Sequence, residues 1–381
     1  MQKKLIALAV AGLASTGALA QSNVTVYGIL DAYYSYNSVD KAPGSTNDDS
    51  GHSIGSGGLS GSRLGFKGTE DLGGGLKASF VLEYAVQNDI NSPLGIDASA
   101  NATRQSYVAL SGNFGTVAVG RLQTAAYDWD CTTAPLAGSG LDAKSKLAGH
   151  ALLSCGGAGR ANNAVAYMSP NFSGFTFALN HSRVTENQNG VGTVPAAGTS
   201  PDNDAYANII GGGYNNGPLA INAVWSKVDF SNKSTAAATF VTEEVTEWGI
   251  SGSYNFGMLK LFGAYQSADF DVKDLVSSRN SDNDKWTVGV GVPVGANGTV
   301  AVQYSDASLD RCGAANVFTV QCDANAWTIG YTHNLSKRTT LYGGYVDVSN
   351  DNNSARGANA QFATVAGGDA STFIVGARHS F

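Results

Sequence analysis

Proline and methionine are scarce in this chain, at 8 and 3 of 381 residues, and cysteine occurs only four times. Beyond the amino terminus no segment reaches the roughly 18 consecutive apolar residues that a membrane-spanning helix needs. Nor does any later segment carry the apolar stripe of an amphipathic helix, which excludes helical bundles. Basic residues are outnumbered, with 23 Lys and Arg against 30 Asp and Glu. No basic stripe offsets phosphate repulsion, so nucleic acid is excluded as a partner. Neither a C-x-x-C nor an H-x-x-x-H spacing occurs, and no metal or other cofactor is expected. His52, His150, His181, His333 and His379 are scattered. None shares a hydrolase or metal spacing with another, and no enzyme activity is expected. The acidic runs Asp202-Asn203-Asp204 and Asp282-Asn283-Asp284 do not complete a calcium loop.

Glycine, by contrast, is abundant at 48 residues, and Tyr and Phe number 16 and 15. Frequent glycine weakens helices but suits tight turns and closely packed strands. The chain opens Met1-Gln2-Lys3-Lys4, continues with an apolar run from Leu5 to Leu13, and reaches Ala18-Leu19-Ala20 before Gln21. A basic start, a short hydrophobic segment and an A-x-A end mark a cleaved export signal over residues 1–20. The remaining domain is 21–381. Losing Lys3 and Lys4 takes its formal charge from −7 to −9. Export also makes disulfides the expected fate of Cys131, Cys155, Cys312 and Cys322. Three pairings are open; Cys131–Cys155 and Cys312–Cys322 are favoured because each pair falls within one long polar segment.

The stretch Gly61 to Val86, GSRLGFKGTEDLGGGLKASFVLEYAV, shows the dominant pattern. Leu64 and Phe66 share one face of a strand, while Arg63, Gly65 and Lys67 share the other. After a glycine turn, Leu76, Ala78, Phe80, Leu82 and Tyr84 oppose Lys77, Ser79, Val81 and Glu83. From Val24 onward, segments of about ten residues repeat this alternation, the length of a tilted membrane strand. The strands fall at 24–36, 59–69, 76–87, 104–111, 116–121, 163–169, 175–184, 204–214, 219–229, 243–256, 259–271, 284–294, 298–306, 326–336, 339–349 and 371–381. That makes sixteen, with short turns alternating with long polar loops. Residues 37–58 read as one such loop, and 122–159 as the longest. Faces are sharp where Trp248, Ile250 and Tyr254 oppose Glu247, Gly249 and Ser253, and where Trp286, Val288 and Val290 oppose Thr287, Gly289 and Gly291. Aromatics recur near strand ends, as in interfacial girdles. In 204–214, 259–271 and 339–349 the faces are ambiguous.

Apolar stripes of this extent need either a dry core or lipid. No helix is available to cover them, and the loops read as too polar to cover anything. Closure into a barrel with lipid outside satisfies every backbone group and leaves no edge. The expected fold is therefore all-β, a transmembrane antiparallel barrel of sixteen strands around an aqueous channel.

The run SGSRLGFKGTEDLGGGLKA, the segments NFGTVAVGR (113–121) and SPNFSGFTFAL (169–179), and the start VTVYGILDA after a signal resemble the general porins of Gram-negative bacteria. The likeness spans Val24 to Phe381 and is strongest to the trimeric porins of β-proteobacteria. The resemblance implies a homotrimer in the outer membrane, in contact with its lipid, whose third long loop folds inward to narrow each pore. It also implies that the terminal strand, ending at Phe381, is read by the barrel-assembly machinery.

Such a pore does no bond chemistry, so its candidate site is the set of charges at its narrowest part. By resemblance, Arg63, Arg121 and Arg160 fall where the family places its basic cluster, with Lys67 and Arg104 as neighbours. Segment 122–159 matches the constriction loop and offers Asp128, Asp130 and Asp142, with Lys144 and Lys146 among them. It lacks the acidic P-E-F-G-G run of enterobacterial relatives, having Pro135-Leu136-Ala137-Gly138 nearby instead, and Glu83 is the substitute acid. Arg121 shares parity with Val117 and Val119, so a bulge at Gly120 is needed to turn it inward. Walls of opposite sign bias ion passage. The expectation is passive diffusion of small hydrophilic solutes and ions with a preference for anions. The alternative is a sugar-type selective channel, which a ladder of lumen-facing aromatics would signal.

Overall fold

A computed structural model describes residues 23–40, 49–90, 103–147, 149–185, 205–230, 241–273, 278–310, 322–351, 354–358 and 366–381. The segment expected to be an export signal lies outside them, as do Cys312 and Asp202-Asn203-Asp204. The strands are β1 (Asn23–Val39), β2 (Asp49–Ser56), β3 (Arg63–Gly73), β4 (Leu76–Ala85), β5 (Thr103–Gly112), β6 (Gly115–Gln123), β7 (Arg160–Met168), β8 (Phe175–Thr185) and β9 (Ala205–Asn216). They continue with β10 (Leu219–Phe230), β11 (Val241–Asn255), β12 (Lys260–Lys273), β13 (Ser278–Val294), β14 (Gly298–Leu309), β15 (Ala324–Asn334), β16 (Thr339–Asn350) and β17 (Ala370–Ser380). Two short helices, α1 (Ala125–Asp130) and α2 (Ala143–Lys146), lie between β6 and β7.

From β3 onward each strand pairs antiparallel with the next, and β17 pairs with β1 to close the sheet on itself. Phe381 and Gly28 exchange two backbone hydrogen bonds at that seam. β2 and β3 both pair with β1, one with its second half and one with its first, so they are two pieces of a single wall strand. The barrel thus has sixteen strands. The reading of 37–58 as one continuous loop is corrected here: Asp49–Ser56 is strand. Its Ser, Gly and His content hid a pairing that β1 supplies. The tight turn joining β3 and β4 rests on Gly73, Gly74 and Gly75, all at positive φ, which only glycine takes in succession at low cost.

The faces are inside out relative to a water-soluble protein. Trp248 is 45 % exposed on the outer surface, whereas its neighbour Glu247 is completely buried. Trp225 lies opposite Trp248 on the next strand, and ring contacts run Trp248–Tyr265, Trp286–Tyr304 and Trp327–Tyr345. These rings form a belt around β10 to β16, the arrangement amphipathic aromatics take at a membrane–water boundary.

The expectation that the loops were too polar to cover anything does not hold. Ala126, Trp129, Leu152 and Leu153 of the 124–159 segment pack with Ala207, Ile209, Val224, Val228 and Val245 of the wall. Ala143 and Leu147 pack with Leu309, Ala326, Val346 and Val348. This explains the ambiguous faces of 204–214 and 339–349. Ile209 and Ile210 are both apolar because one meets the loop and the other faces outward.

Candidate functional site: charges on the inner wall

The long segment begins where Thr124 caps α1, its hydroxyl accepting from the Tyr127 amide at 3.3 Å. Thr124 also donates through N and Oγ1 to Gly159 O, tying the two ends of the segment together. Between these ends the chain lies on the polar face of the wall. Glycines make room for it: Trp129 seats against Gly249, Pro135 against Gly289, and Leu141 against Gly330 and Gly344. At Gly249, Gly289 and Gly344 a side chain on the wall would collide with the loop, and at Gly330 it would crowd Leu136 and Leu141. A disulfide joins Cys131 to Cys155 across the segment, as expected. Cys322 is disulfide-bonded as well.

Charged groups then fasten the loop to β11, β13 and β14. Glu247 accepts from the amides of Ala151 and Leu152 at 2.5 and 2.8 Å. Lys285 donates to Leu147 O and Lys144 O. Asp142 caps α2 through the Lys144 amide and accepts from Gln303 Nε2 at 2.9 Å and from Gly138 N at 3.0 Å. Asp130 pairs with Lys144 and accepts from Cys155 N at 2.8 Å. Asp130 and Asp142 therefore do not reach solvent; both are buried and consumed by internal partners. Asp128, in α1, is exposed. His150 packs beside Glu247 with both ring nitrogens buried and unpartnered. Burial, with Lys285 and Lys144 nearby, holds its pKa well below the ordinary histidine value.

On the other side of the lumen the balance is different. Glu83, buried on β4, accepts from Arg104 Nε at 2.7 Å and from Tyr27 Oη at 3.1 Å, and Arg63 NH1 stands 4.0 Å away. Arg104 reaches this site because the register shifts between Glu83 and Tyr84 opposite it, and the extra residue turns inward. Arg160, at the start of β7, donates to Tyr127 Oη at 3.3 Å and lies 4.8 Å from that ring's centre. It is close enough to feel both Arg104 and Arg63. Two guanidiniums thus flank one carboxylate, and a third lies near both of them. Arginine tolerates this because it stays charged beside like neighbours. Lys67, four residues along β3 from Arg63, is exposed and lies over the Tyr27 ring at 5.1 Å.

Arg121 stands apart. The register does shift beyond Gly120, whose φ is +141°, but the Arg121 guanidinium is held by Thr103 O at 2.6 Å and Asn162 Oδ1 at 2.5 Å. No contact joins it to Glu83. Sequence reasoning missed the anchoring residues Glu247, Lys285 and Gln303. Their inward parity was legible, but nothing local marked them as partners of a segment more than 90 residues away. Asp31, described below, was missed too.

A closed barrel with an apolar exterior, an aromatic belt and a charged interior defines a membrane-spanning channel. The chain belongs to the Gram-negative porin family, whose profile it matches over residues 7–353. It is 35 % identical to outer membrane porin protein 32 of Delftia acidovorans, over the whole of both chains. It is 32 % identical to an outer membrane porin of Bordetella pertussis, covering 90 % of this chain and 93 % of that one. Among solved structures it resembles an anion-selective porin from Comamonas acidovorans, with a TM-score of 0.68 and 31 % identity over 94 % of this chain and all of that one. OmpT of Vibrio cholerae, at 17 % identity and a TM-score of 0.63 over 94 % of this chain and 98 % of that one, shares the fold. The protein is an outer-membrane porin.

Proposed function

We propose that the chain forms a passive diffusion channel for small hydrophilic solutes and ions that prefers anions, and that it catalyses no reaction. The observation that carries this is the group of Arg63, Arg104 and Arg160 on the inner wall, where Glu83 pairs with Arg104 and stands near Arg63 while Arg160 lies close enough to both arginines to feel their charge, a surplus of two positive charges over the one carboxylate. Facing it, Asp128 is the exposed acid of the loop segment, since Asp130 and Asp142 are paired internally. A partly desolvated surplus of one sign is screened less than charges on an open surface. It lowers the energy of an anion in transit and raises that of a cation. The anion selectivity named for the Comamonas relative agrees with this reading.

The loop segment 124–159, lying on the inner wall, acts in this reading as the constriction that brings permeating ions close to the cluster. Lys67 extends the positive surface along β3, and Arg121 contributes at longer range. Cleavage after residue 20 follows from the amino-terminal pattern of residues 1–20, and assembly as a homotrimer and recognition of the strand ending at Phe381 by the barrel-assembly machinery follow from family likeness.

Reversal potentials across a salt gradient in planar bilayers test the proposal. The wild-type channel is expected to show an anion-preferring potential, and Arg63→Ala/Arg160→Ala to lose most of it while still conducting. If the double variant keeps its anion preference, the basic cluster is wrongly assigned.

A further inference from the structure

The wall strand that contains Arg63 is broken over residues 57–62, and one buried carboxylate organises the break. Asp31, on the inner face of β1, is completely buried. Its two oxygens accept from three successive amides, Gly58 at 3.1 Å, Leu59 at 2.9 Å and Ser60 at 2.8 Å, and from Tyr342 Oη at 2.5 Å. Successive amides converging in this way form an anion-binding concavity, and here the anion is part of the chain. The backbone of Asp31 fixes the ends: its O accepts from Gly57 N and Ser62 Oγ, and its N donates to Ser62 Oγ.

The segment held this way touches both halves of the constriction. Gly58 O accepts from Gly140 N at 2.7 Å, so the tip of the loop hangs on it, and Leu59 packs with Leu136, Leu141 and Tyr342. Gly61 O accepts from Arg63 Nε at 2.9 Å, which sets the direction of that guanidinium. The Arg104 guanidinium passes so close to Gly61 that a methyl group there would sit 3.1 Å from NH1. No other inner-wall carboxylate described here binds a backbone segment that also contacts the loop tip and two of the three arginines.

We propose that Asp31 is a positioning residue for ion selectivity: by folding 57–62 inward it aims Arg63, confines Arg104 and fixes the loop tip opposite them. The inference rests on the anion-selective reading given above. It also has a sign that simple charge counting does not share. Asp31→Asn removes a negative charge from the inner wall, which by Coulomb attraction alone would increase anion preference. An amide in its place accepts with only one oxygen and turns an NH2 group toward N–H donors, so the segment loses its hold. Asp31 therefore supports anion preference despite carrying a negative charge.

The test compares wild type, Asp31→Asn, Tyr342→Phe and Arg63→Ala/Arg160→Ala as full-length channels in planar bilayers. Anion-to-cation permeability is read from reversal potentials, beside single-channel conductance. Asp31→Asn is expected to lower the permeability ratio at least twofold, and Tyr342→Phe, which removes one hydrogen bond and no charge, to lower it by a smaller factor. A change in conductance with an unaltered ratio is what a merely structural role would give, and it overturns the proposal. So does a raised ratio. If Asp31→Asn fails to assemble, Tyr342→Phe decides, and an unchanged ratio there counts against the proposal. Should the arginine double variant lose its preference while the Asp31 and Tyr342 variants keep theirs, only this inference fails. Should the arginine variant keep its preference too, the basic cluster itself is misassigned.

Discussion

Two regions of the inner wall are rich in charge and use it in opposite ways. Where the loop meets β11, β13 and β14 its charges are paired: Glu247 of the wall with two loop amides, Lys285 of the wall with two loop carbonyls, Asp142 of the loop with Gln303, and Asp130 with Lys144 within the loop. These groups are buried, and their charge is spent on holding the segment in place. On β3, β5 and β7 three arginines gather near one carboxylate, Glu83, which pairs with Arg104 and stands 4.0 Å from Arg63, and the surplus stays available to the lumen. Paired charge fastens the loop, and unpaired charge acts on ions. The count of charged residues alone does not distinguish the two regions; their partners do.

The largest expected effect on this contrast comes from Glu247→Ala. It leaves the Ala151 and Leu152 amides buried without acceptors, at a cost of roughly 2–6 kcal/mol for the pair. The loop should detach on that side, raising single-channel conductance and its noise, while the reversal potential moves less than in the arginine double variant. If conductance and noise stay at wild-type levels, the anchoring role assigned to this region is wrong.

Gly249→Val acts on the same docking through packing rather than charge. The branched side chain would occupy the place of the Trp129 ring, and overpacking of this kind costs about 1–3 kcal/mol. Thermal unfolding in detergent should shift down and Trp129 fluorescence should move toward that of a wetter environment. An unshifted melting curve would mean that the loop is not seated on the glycines.

The smallest effect is a pH dependence. His150 is buried beside Glu247 of β11, with Lys285 of β13 and Lys144 of the loop contributing positive charge, and its pKa lies well below 6.5 in the docked state. In a released loop it would take up a proton near 6.5. The released state then binds more protons below that pH, so docking is at full strength above 6.5 and weakens as pH falls toward the depressed value. The slope is about 1.4 kcal/mol per pH unit at most. Channel noise should therefore rise between pH 6.5 and 5, and this component should vanish in His150→Gln. A variant as pH-sensitive as wild type would place the titrating group elsewhere.

The sequence was most legible where structure is local. Alternation with a period of two put Trp248, Trp286 and Trp327 on one face and Glu247, Thr287 and Thr328 on the other, and the structure places them so. The bulge expected at Gly120 is present, although Arg121 binds Thr103 and Asn162 rather than the arginine cluster. Glu83 was legible as an inward acid. Its place among the arginines, on their own side of the lumen, was not, because that depends on a register shift opposite Arg104. Asp130 and Asp142 looked like acids facing the pore because the partners that consume them, Lys144 and Cys155 for Asp130 and Gln303 for Asp142, meet them only once the loop is folded onto the wall.

By itself, then, the order of residues determined the strand count, the outward and inward faces, the closure into a barrel and the residue types available to the pore. These follow from backbone geometry and from the energy of placing apolar groups in lipid, both of which act over a few neighbouring positions. Which charges are neutralised and which remain in excess was decided only by the tertiary fold. That outcome depends on distances of a few ångströms between the loop, the break at 57–62 and far-separated strands. Electrostatic energy changes steeply over such distances, and no local pattern encodes them.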